Sequence, residues 1–260
     1  MAYERITLEV AEGVATLTLN HPQTRNALAW AMADEIGHAL GALGDARALV
    51  ITGAGKSFCS GGDMGASVAE GQRFGDMLQD GIETSVNPML EKLAALDIPV
   101  VIAANGAVAG AGVPLALSGD FTLAGTGSFF VTAFTNVGLA LDAGASWLLP
   151  RLVGLARATE ALMLSERIPA ARALDWGLIH KVVADEDLVA EATALAKRLA
   201  AGPTRSYALI RKALRFAATS DYTAALAHEA IAQQISGNSA DCAEAVSAFL
   251  EKRPPVFQGR

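Results

Sequence analysis

Two glycine-rich loops carry the residues best suited to holding a negative charge on backbone groups. Residues 57–63 read Ser-Phe-Cys-Ser-Gly-Gly-Asp, and residues 105–112 read Asn-Gly-Ala-Val-Ala-Gly-Ala-Gly. Each loop follows a short apolar segment, at 48–52 and 99–104, of the kind that forms a buried strand. Small residues let a ligand approach the backbone closely and leave N–H groups pointing at it. The pair of loops therefore predicts an oxyanion hole, whereas either loop alone would be read as turn and packing glycines.

Asp142 is the acidic residue best placed to move a proton. The segment around it is apolar and contains Phe134, Leu141 and Trp147. Desolvation in such surroundings raises the pKa of a carboxyl group and makes it useful first as a base and then as an acid. The alternative role is to cap a helix predicted over 143–149, and the two roles can coexist.

Other motifs for nucleotides, metals and nucleophiles are incomplete. Residues 53–57 read Gly-Ala-Gly-Lys-Ser, but the first glycine of a P-loop is missing because that position is Val50. There is no GxGxxG or GxSxG pattern, and the four histidines show no zinc-ligand spacing. Cys59 and Cys242 are predicted to be reduced thiols, and Cys59 has no histidine near it in sequence to activate it. We therefore expect no metal and no cofactor.

The composition excludes several classes of protein. With 52% apolar and 18% charged residues and a mean hydropathy of +0.34, the 260-residue chain has enough apolar surface to fold. Its net charge of −7 disfavours a nucleic-acid partner. The sequence has no apolar run of about 18 residues. It also has no basic N-terminal leader followed by an apolar stretch, so we predict a cytoplasmic protein without a membrane span.

A coarse secondary-structure prediction places the loops in an α/β fold. Alternating apolar residues predict a hairpin over 4–20, and Asn26 is predicted to cap the helix that follows. A further helix is predicted at about 77–96, strands alternate with short helices to about 183, and the rest is helical. We predict two regions: an α/β core at 1–197, and a helical C-terminal region at 198–260.

Four motifs resemble the crotonase (enoyl-CoA hydratase/isomerase) superfamily, and they follow its order nearly end to end. They are His21-Pro22-x-x-x-Asn26-Ala27-Leu28, Phe58-Cys59-Ser60-Gly61-Gly62-Asp63, Asn105-Gly106-x-x-x-Gly110-Ala111-Gly112 and Asp175-Trp176-Gly177-Leu178-Ile179. The resemblance implies a spiral of ββα units, a C-terminal helical region that forms a homotrimer or a dimer of trimers, and acyl-CoA thioester substrates. It also implies an oxyanion hole whose N–H donors are Ser60 and Ala111.

The sequence departs from the hydratases of this superfamily at two acidic positions. Where the resemblance implies two glutamates, this chain has Pro114 and Phe134, and neither can transfer a proton. A third acidic position of the superfamily holds Asp142, and members with only this aspartate resemble isomerases. Residues 139–152 and 247–253 resemble the members that isomerise ring-epoxidised phenylacetyl-CoA. We predict an acyl-CoA isomerase, with a low-efficiency enoyl-CoA hydratase and a non-catalytic acyl-CoA-binding protein as alternatives.

The remaining candidate residues are contacts to the acyl-CoA, in which coenzyme A is part of the substrate. Arg25 is either a contact to a CoA phosphate or a solvated turn residue, and Asp63 is more typical of a loop carboxylate. Arg211, Lys212 and Arg215 are expected on an exposed helix face, and Asp120 in a turn or as a buried partner. The full set of predicted contacts is Arg25, Ala27, Ser60, Gly61, Gly62, Asp63, Met64, Gly110, Phe134 and Trp147.

Overall fold

The computed structural model describes residues 3–65, 68 and 71–260, and in this part of the chain it contains ten strands and ten α-helices. The strands are β1 (Ile6–Ala11), β2 (Val14–Leu19), β3 (Ala48–Gly53), β4 (Ser57–Cys59), β5 (Val100–Ala104), β6 (Ala107–Ala109), β7 (Phe121–Gly125), β8 (Phe129–Val131), β9 (Ile168–Pro169) and β10 (Lys181–Val183). The helices are α1 (Trp30–Ala39), α2 (Phe74–Gly81), α3 (Asn87–Ala95), α4 (Gly112–Leu117), α5 (Ala145–Leu164), α6 (Ala170–Asp175), α7 (Leu188–Ala200), α8 (Thr204–Ala217), α9 (Tyr222–Gly237) and α10 (Ala240–Glu251).

The strands form two sheets that the chain visits alternately. The larger sheet has the order β1-β2-β3-β5-β7-β10, and the smaller sheet has the order β4-β6-β8-β9. Three successive units each contribute a strand to the large sheet, a shorter strand to the small sheet and then helix: β3–β4, β5–β6 and β7–β8. Within both sheets these strands pair in parallel. The predicted spiral of ββα units is confirmed.

The central strands β3 and β5 of the large sheet are covered on both faces, which explains their almost wholly apolar sequences. On one face, Val50, Val101 and Leu123 pack against the inner side of α7. On the other face, residues such as Leu49 and Ile102 enter the main core. The alternation of these side chains along each strand follows from the period of two in a β-strand.

Helix starts differ from the sequence prediction at two places. Asn26 does not cap α1, which begins at Trp30, because the Asn26 side chain is used inside the loop before it. The helix predicted at 77–96 runs from Phe74 to Ala95 and includes a π-helical turn at Ile82–Val86. Asn26 is therefore a loop-anchoring residue rather than a helix cap.

The C-terminal helices attach to the sheet through an ion pair in which the arginine is buried. Arg211 Nε in α8 lies 2.8 Å from Asp120 Oδ1, and the guanidinium also donates to the carbonyl of Leu96. The prediction of an exposed basic face is therefore wrong for Arg211, whose exposed fraction is 7%, whereas Lys212 is exposed and Arg215 is partly buried. Asp120 itself is exposed, so it is not the buried partner that was one of its two predicted roles, although it pairs with the buried Arg211.

The three last helices keep a large apolar surface open to solvent. No residue of α9 is buried within the chain. Large exposed apolar side chains on α8–α10 include Ile210, Leu214, Tyr222, Leu226, Ile231, Val246, Phe249 and Leu250. Many large apolar side chains exposed on neighbouring helices are typical of a protein–protein interface. The division of the chain at 197/198 stays a prediction.

Candidate functional site

The first glycine-rich loop is held by the buried side chain of Asn26. Its amide nitrogen donates to the carbonyls of Ala54 at 2.9 Å and Ser57 at 2.8 Å. Its amide oxygen accepts from the N–H of His21 at 2.9 Å. One amide thereby satisfies three backbone groups, which fixes residues 21–26 against the start of β4.

The second loop is joined to the first where the two strands of the small sheet begin. The N–H of Phe58 donates to the carbonyl of Asn105 at 2.6 Å. Gly106 has φ +57°, and a Cβ atom there would overlap the carbonyl oxygen of Lys56. Only glycine fits this position, because it needs both the left-handed backbone and the close approach of a second chain segment.

The two loops touch at a pair of glycines. Gly61 has φ +96° and Gly110 has φ +50°. A Cβ atom on Gly61 would lie 3.2 Å from the Cα of Gly110, and the reverse distance is also 3.2 Å. The fold therefore brings the two predicted loops into direct backbone contact.

The structure corrects one of the two predicted oxyanion donors. The N–H of Ser60 donates to the carbonyl of Arg25 at 3.0 Å, and its hydroxyl donates to the carbonyl of Thr24 at 2.9 Å. Ser60 thus has no N–H free to bind a ligand, because one hydrogen cannot serve both acceptors well. Across the described residues, neither Gly62 nor Ala111 donates its N–H to a protein acceptor. These two residues follow the touching glycines, Gly61 and Gly110, on each loop.

Cys59 has a packing role at this point. It is fully buried, and burial raises the pKa of its thiol to about 11. A Cβ atom on Gly112 would lie 2.8 Å from the Cβ of Cys59, so the thiol fills the space between the two loops. A thiol with so high a pKa is not a nucleophile near neutral pH.

Asp142 has the geometry of a reactive acid rather than of a helix cap. Helix α5 begins at Ala145 with Gly144 at its N-cap, and no side chain caps it. The capping role is therefore wrong, although the backbone carbonyl of Asp142 accepts from the N–H of Ala145 at 3.0 Å. Among the described residues, no group donates to its buried Oδ1 atom. Burial raises the pKa of Asp142 from 3.8 to about 6.

The two positions that carry glutamates in hydratases are apolar and buried here. Pro114 lies inside the wholly buried helix α4. Phe134 is 5% exposed and belongs to the main hydrophobic core. Neither position supplies a carboxylate, so Asp142 has no acidic partner at them.

The other predicted contacts differ in how far they are exposed. Arg25 is exposed, with φ +55°. Asp63 accepts from the N–H of Gly65 at 3.0 Å, as expected of a loop carboxylate. Ala27 is buried, whereas Met64 and Trp147 are exposed, and the Arg151 guanidinium lies 4.2 Å from the Trp147 ring centre. Their contacts with a ligand stay predictions.

Two further properties concern metals and membranes. In the part of the chain that the structure describes, no three His, Cys, Asp or Glu residues are grouped so that they could bind a metal ion. Within the same residues, no helix has both the length and the apolar character needed to span a bilayer.

Comparisons with known proteins agree with this fold. A sequence model of the family described as "Enoyl-CoA hydratase/isomerase" matches residues 9–260. The chain is 44% identical, over the full length of both, to a Rhodobacter capsulatus protein named "Probable enoyl-CoA hydratase". It is 40% identical, over 99% of each chain, to the 1,2-epoxyphenylacetyl-CoA isomerase of Escherichia coli. The crystal structure of an enoyl-CoA hydratase from Polaromonas superposes with a TM-score of 0.92, at 33% identity, covering 97% of this chain and 99% of that one.

Proposed function

The chain belongs to the enoyl-CoA hydratase/isomerase family, and we propose that within it the protein is an acyl-CoA isomerase with Asp142 as its acid and base. One observation carries this proposal. The buried Oδ1 of Asp142 has no donor among the described residues, while positions 114 and 134 hold proline and phenylalanine. A lone, desolvated carboxyl group suits a reaction in which one proton leaves and returns.

Gly62 and Ala111 are the proposed oxyanion donors. Their N–H groups have no protein acceptor among the described residues, and the contact between Gly61 and Gly110 keeps the two loops close. A thioester oxygen between them would accept two hydrogen bonds. Donors fixed in advance in this way stabilise the charge of an enolate without reorganisation, and each is typically responsible for about 10²–10³ in rate.

The reaction has two proton transfers. The Asp142 carboxylate takes a proton from the carbon beside the thioester carbonyl, and the electron pair of that C–H bond moves into the carbonyl to leave charge on the oxygen. The protonated Asp142 then returns the proton to the far end of the former double bond, and the electrons move back from the oxygen. The double bond shifts by one position with no net change in atoms or electrons. A pKa of about 6 suits a group that works as base and then acid near neutral pH.

Opening of a ring epoxide in an arylacetyl-CoA is a second reaction of the same class. The similarity to the Escherichia coli 1,2-epoxyphenylacetyl-CoA isomerase favours it. The same thioester enolate and the same two N–H donors would serve that reaction.

Hydration is the alternative activity, and the name of the Rhodobacter capsulatus relative favours it. Adding water needs one group to activate the water and another to protonate the substrate carbon. With Pro114 and Phe134 in place of two glutamates, Asp142 would have to do both, so hydration would be slow. A non-catalytic acyl-CoA-binding protein is a third alternative. The buried Oδ1 atom of Asp142, which has no hydrogen-bond donor among the described residues, argues against it.

The proposed substrate contacts and assembly follow the sequence analysis. Arg25 lies exposed beside the first loop, where a CoA phosphate could reach it, and Phe134 and Trp147 are the proposed walls of the acyl site. The exposed apolar side chains of α8–α10 support a homotrimer or a dimer of trimers.

A parallel assay separates the candidate activities. Isomerisation of 3-enoyl-CoA and hydration of 2-enoyl-CoA are measured on one preparation, with acyl-CoA binding followed by calorimetry. We expect isomerase turnover far above hydratase turnover. Hydratase turnover equal to or above isomerase turnover contradicts the proposal, and binding without turnover of either substrate assigns the protein to the non-catalytic class.

A further inference from the structure

Three hydroxyl groups meet where the C-terminal end of α5 contacts the chain after β8. Thr132 is 2% exposed and Ser165 is 7% exposed. The Thr135 and Ser165 hydroxyl oxygens are 2.8 Å apart, and the Thr132 and Ser165 hydroxyl oxygens are 3.4 Å apart. We call Thr132, Thr135 and Ser165 the hydroxyl cluster.

The hydroxyl cluster donates to carbonyl groups in the last turn of α5, where a helix runs out of backbone donors. The carbonyl of Ala161 also accepts from the N–H of Ser165 at 3.2 Å. Thr132 Oγ1 donates to the carbonyl of Ala161 at 2.7 Å, and Thr135 Oγ1 donates to the carbonyl of Met163 at 3.3 Å. With those two protons placed, the Ser165 hydroxyl donates to Thr135 Oγ1. All three protons then have acceptors. Removing the Thr132 hydroxyl takes away one of the two donors to the Ala161 carbonyl, and removing the Thr135 hydroxyl takes away the donor to the Met163 carbonyl.

The chain beside the hydroxyl cluster leads to both halves of the proposed site. Immediately before Thr132, the carbonyl of Val131 accepts from the N–H of Gly110 at 2.9 Å, and Gly110 precedes the oxyanion donor Ala111. Just after Thr132, the carbonyl of Phe134 accepts from the N–H of Leu139 at 3.0 Å. That bond closes the turn that leads to Asp142. Loop 132–144 is thus fixed to α5 near its beginning and runs into α5 at its end.

We propose that the hydroxyl cluster is a positioning device that sets the distance between the Asp142 carboxyl and the Ala111 N–H. None of its members touches the reacting atoms. It acts through the backbone of residues 131–139, by holding them to the last turn of α5. This inference rests on the proposed function, because it assigns roles to Asp142 and Ala111.

Thr132→Val tests the inference because valine keeps the branched shape and removes only the hydroxyl. Thr132→Ser keeps the hydroxyl and serves as the conservative variant. Ser206→Ala is a matched control: Ser206 and Ser236 form another hydroxyl pair at 2.8 Å, between α8 and α9, outside the site. Isomerase kcat and KM, melting temperature and hydrogen exchange at the Gly110 and Leu139 amides are measured for all three and for the wild type.

We expect Thr132→Val to lower kcat about 10-fold, since small displacements of a catalytic group cost rate steeply. KM should stay within about twofold because positioning of the base affects the chemical step rather than uniform binding. Exchange at Gly110 and Leu139 should speed up, and Thr132→Ser should restore both kcat and exchange. Ser206→Ala should leave kcat and these two amides unchanged.

Unchanged kcat and exchange in Thr132→Val overturn the inference. So does a loss of kcat that Ser206→Ala reproduces at an equal drop in melting temperature, because that indicates general destabilisation. If the wild type shows no isomerase activity, the proposed function is wrong, and this result says nothing about the hydroxyl cluster. The exchange measurement then tests the cluster separately, and unchanged exchange at both amides in Thr132→Val overturns its positioning role.

Discussion

Replacing Asp142 by asparagine should abolish catalysis and at the same time stabilise the protein at alkaline pH. The amide keeps the shape of the carboxyl group but cannot accept and return a proton. Loss of an essential general base typically lowers the rate by about 10²–10⁴. Helix α5 should be unaffected, because no side chain caps it and the Asp142 backbone carbonyl is retained.

The stability change follows from the raised pKa. Burial moves the pKa of Asp142 from 3.8 to about 6. Between about pH 4 and pH 6 the folded protein therefore keeps a proton that the unfolded chain has released, and the free energy of unfolding falls as pH rises through that window. Each pKa unit corresponds to about 1.4 kcal/mol, so the ionised carboxylate destabilises the fold by at most roughly 3 kcal/mol. Because the side chain is partly exposed, we expect about 1–2 kcal/mol.

Asp142→Asn should thus be more stable than the wild type at pH 8 and equally stable near pH 4. Urea unfolding at both pH values measures the stability change. Turnover and CoA-ester affinity, determined on the same preparations, measure the loss of catalysis. Asp34→Asn is the control, because Asp34 is exposed on α1, and its removal should change neither activity nor the pH dependence of stability. Near-wild-type turnover in Asp142→Asn would refute the role of Asp142 as the base. Equal stability at pH 8 would refute its desolvation.

Three further predictions concern the pH profile, the oxyanion hole and the assembly. The kcat/KM of the wild type should rise with pH on an acid limb with an apparent pKa of about 6, set by burial of Asp142; a limb near pH 4, or none, would contradict this. Gly62→Pro removes the proposed donor N–H and should lower kcat by about 10²–10³. Gly62→Ala should be tolerated, because nothing lies within 4 Å of a Cβ atom there; equal activity of the two variants would exclude this N–H. Light scattering should give the mass of three or six copies of the 26.8 kDa chain, and a monomer at micromolar concentration would contradict the proposed assembly.

Local sequence was sufficient for the fold class and for the existence of the two loops. Apolar segments at 48–52 and 99–104, each followed by glycines, predict buried strands with close backbone approach, and the structure has β3 and β5 there. Such features depend on residue size and on the period of two, which are properties of neighbouring residues in the chain. Pro114 and Phe134 likewise exclude acid chemistry at their positions by residue type alone.

Tertiary contacts decided which groups within these segments are available for chemistry. Ser60 and Gly62 both flank Gly61, and only the approach of the Arg25 carbonyl shows that the N–H of Ser60 is occupied. Arg211 has the spacing of a surface residue, yet it is buried because Asp120, 91 residues away in sequence, lies opposite it. For Asp142, sequence supplied the carboxyl group, but its raised pKa depends on burial by packing. Desolvation and hydrogen bonding are set by atoms that are near in space and far apart in sequence, so they follow from the folded structure alone.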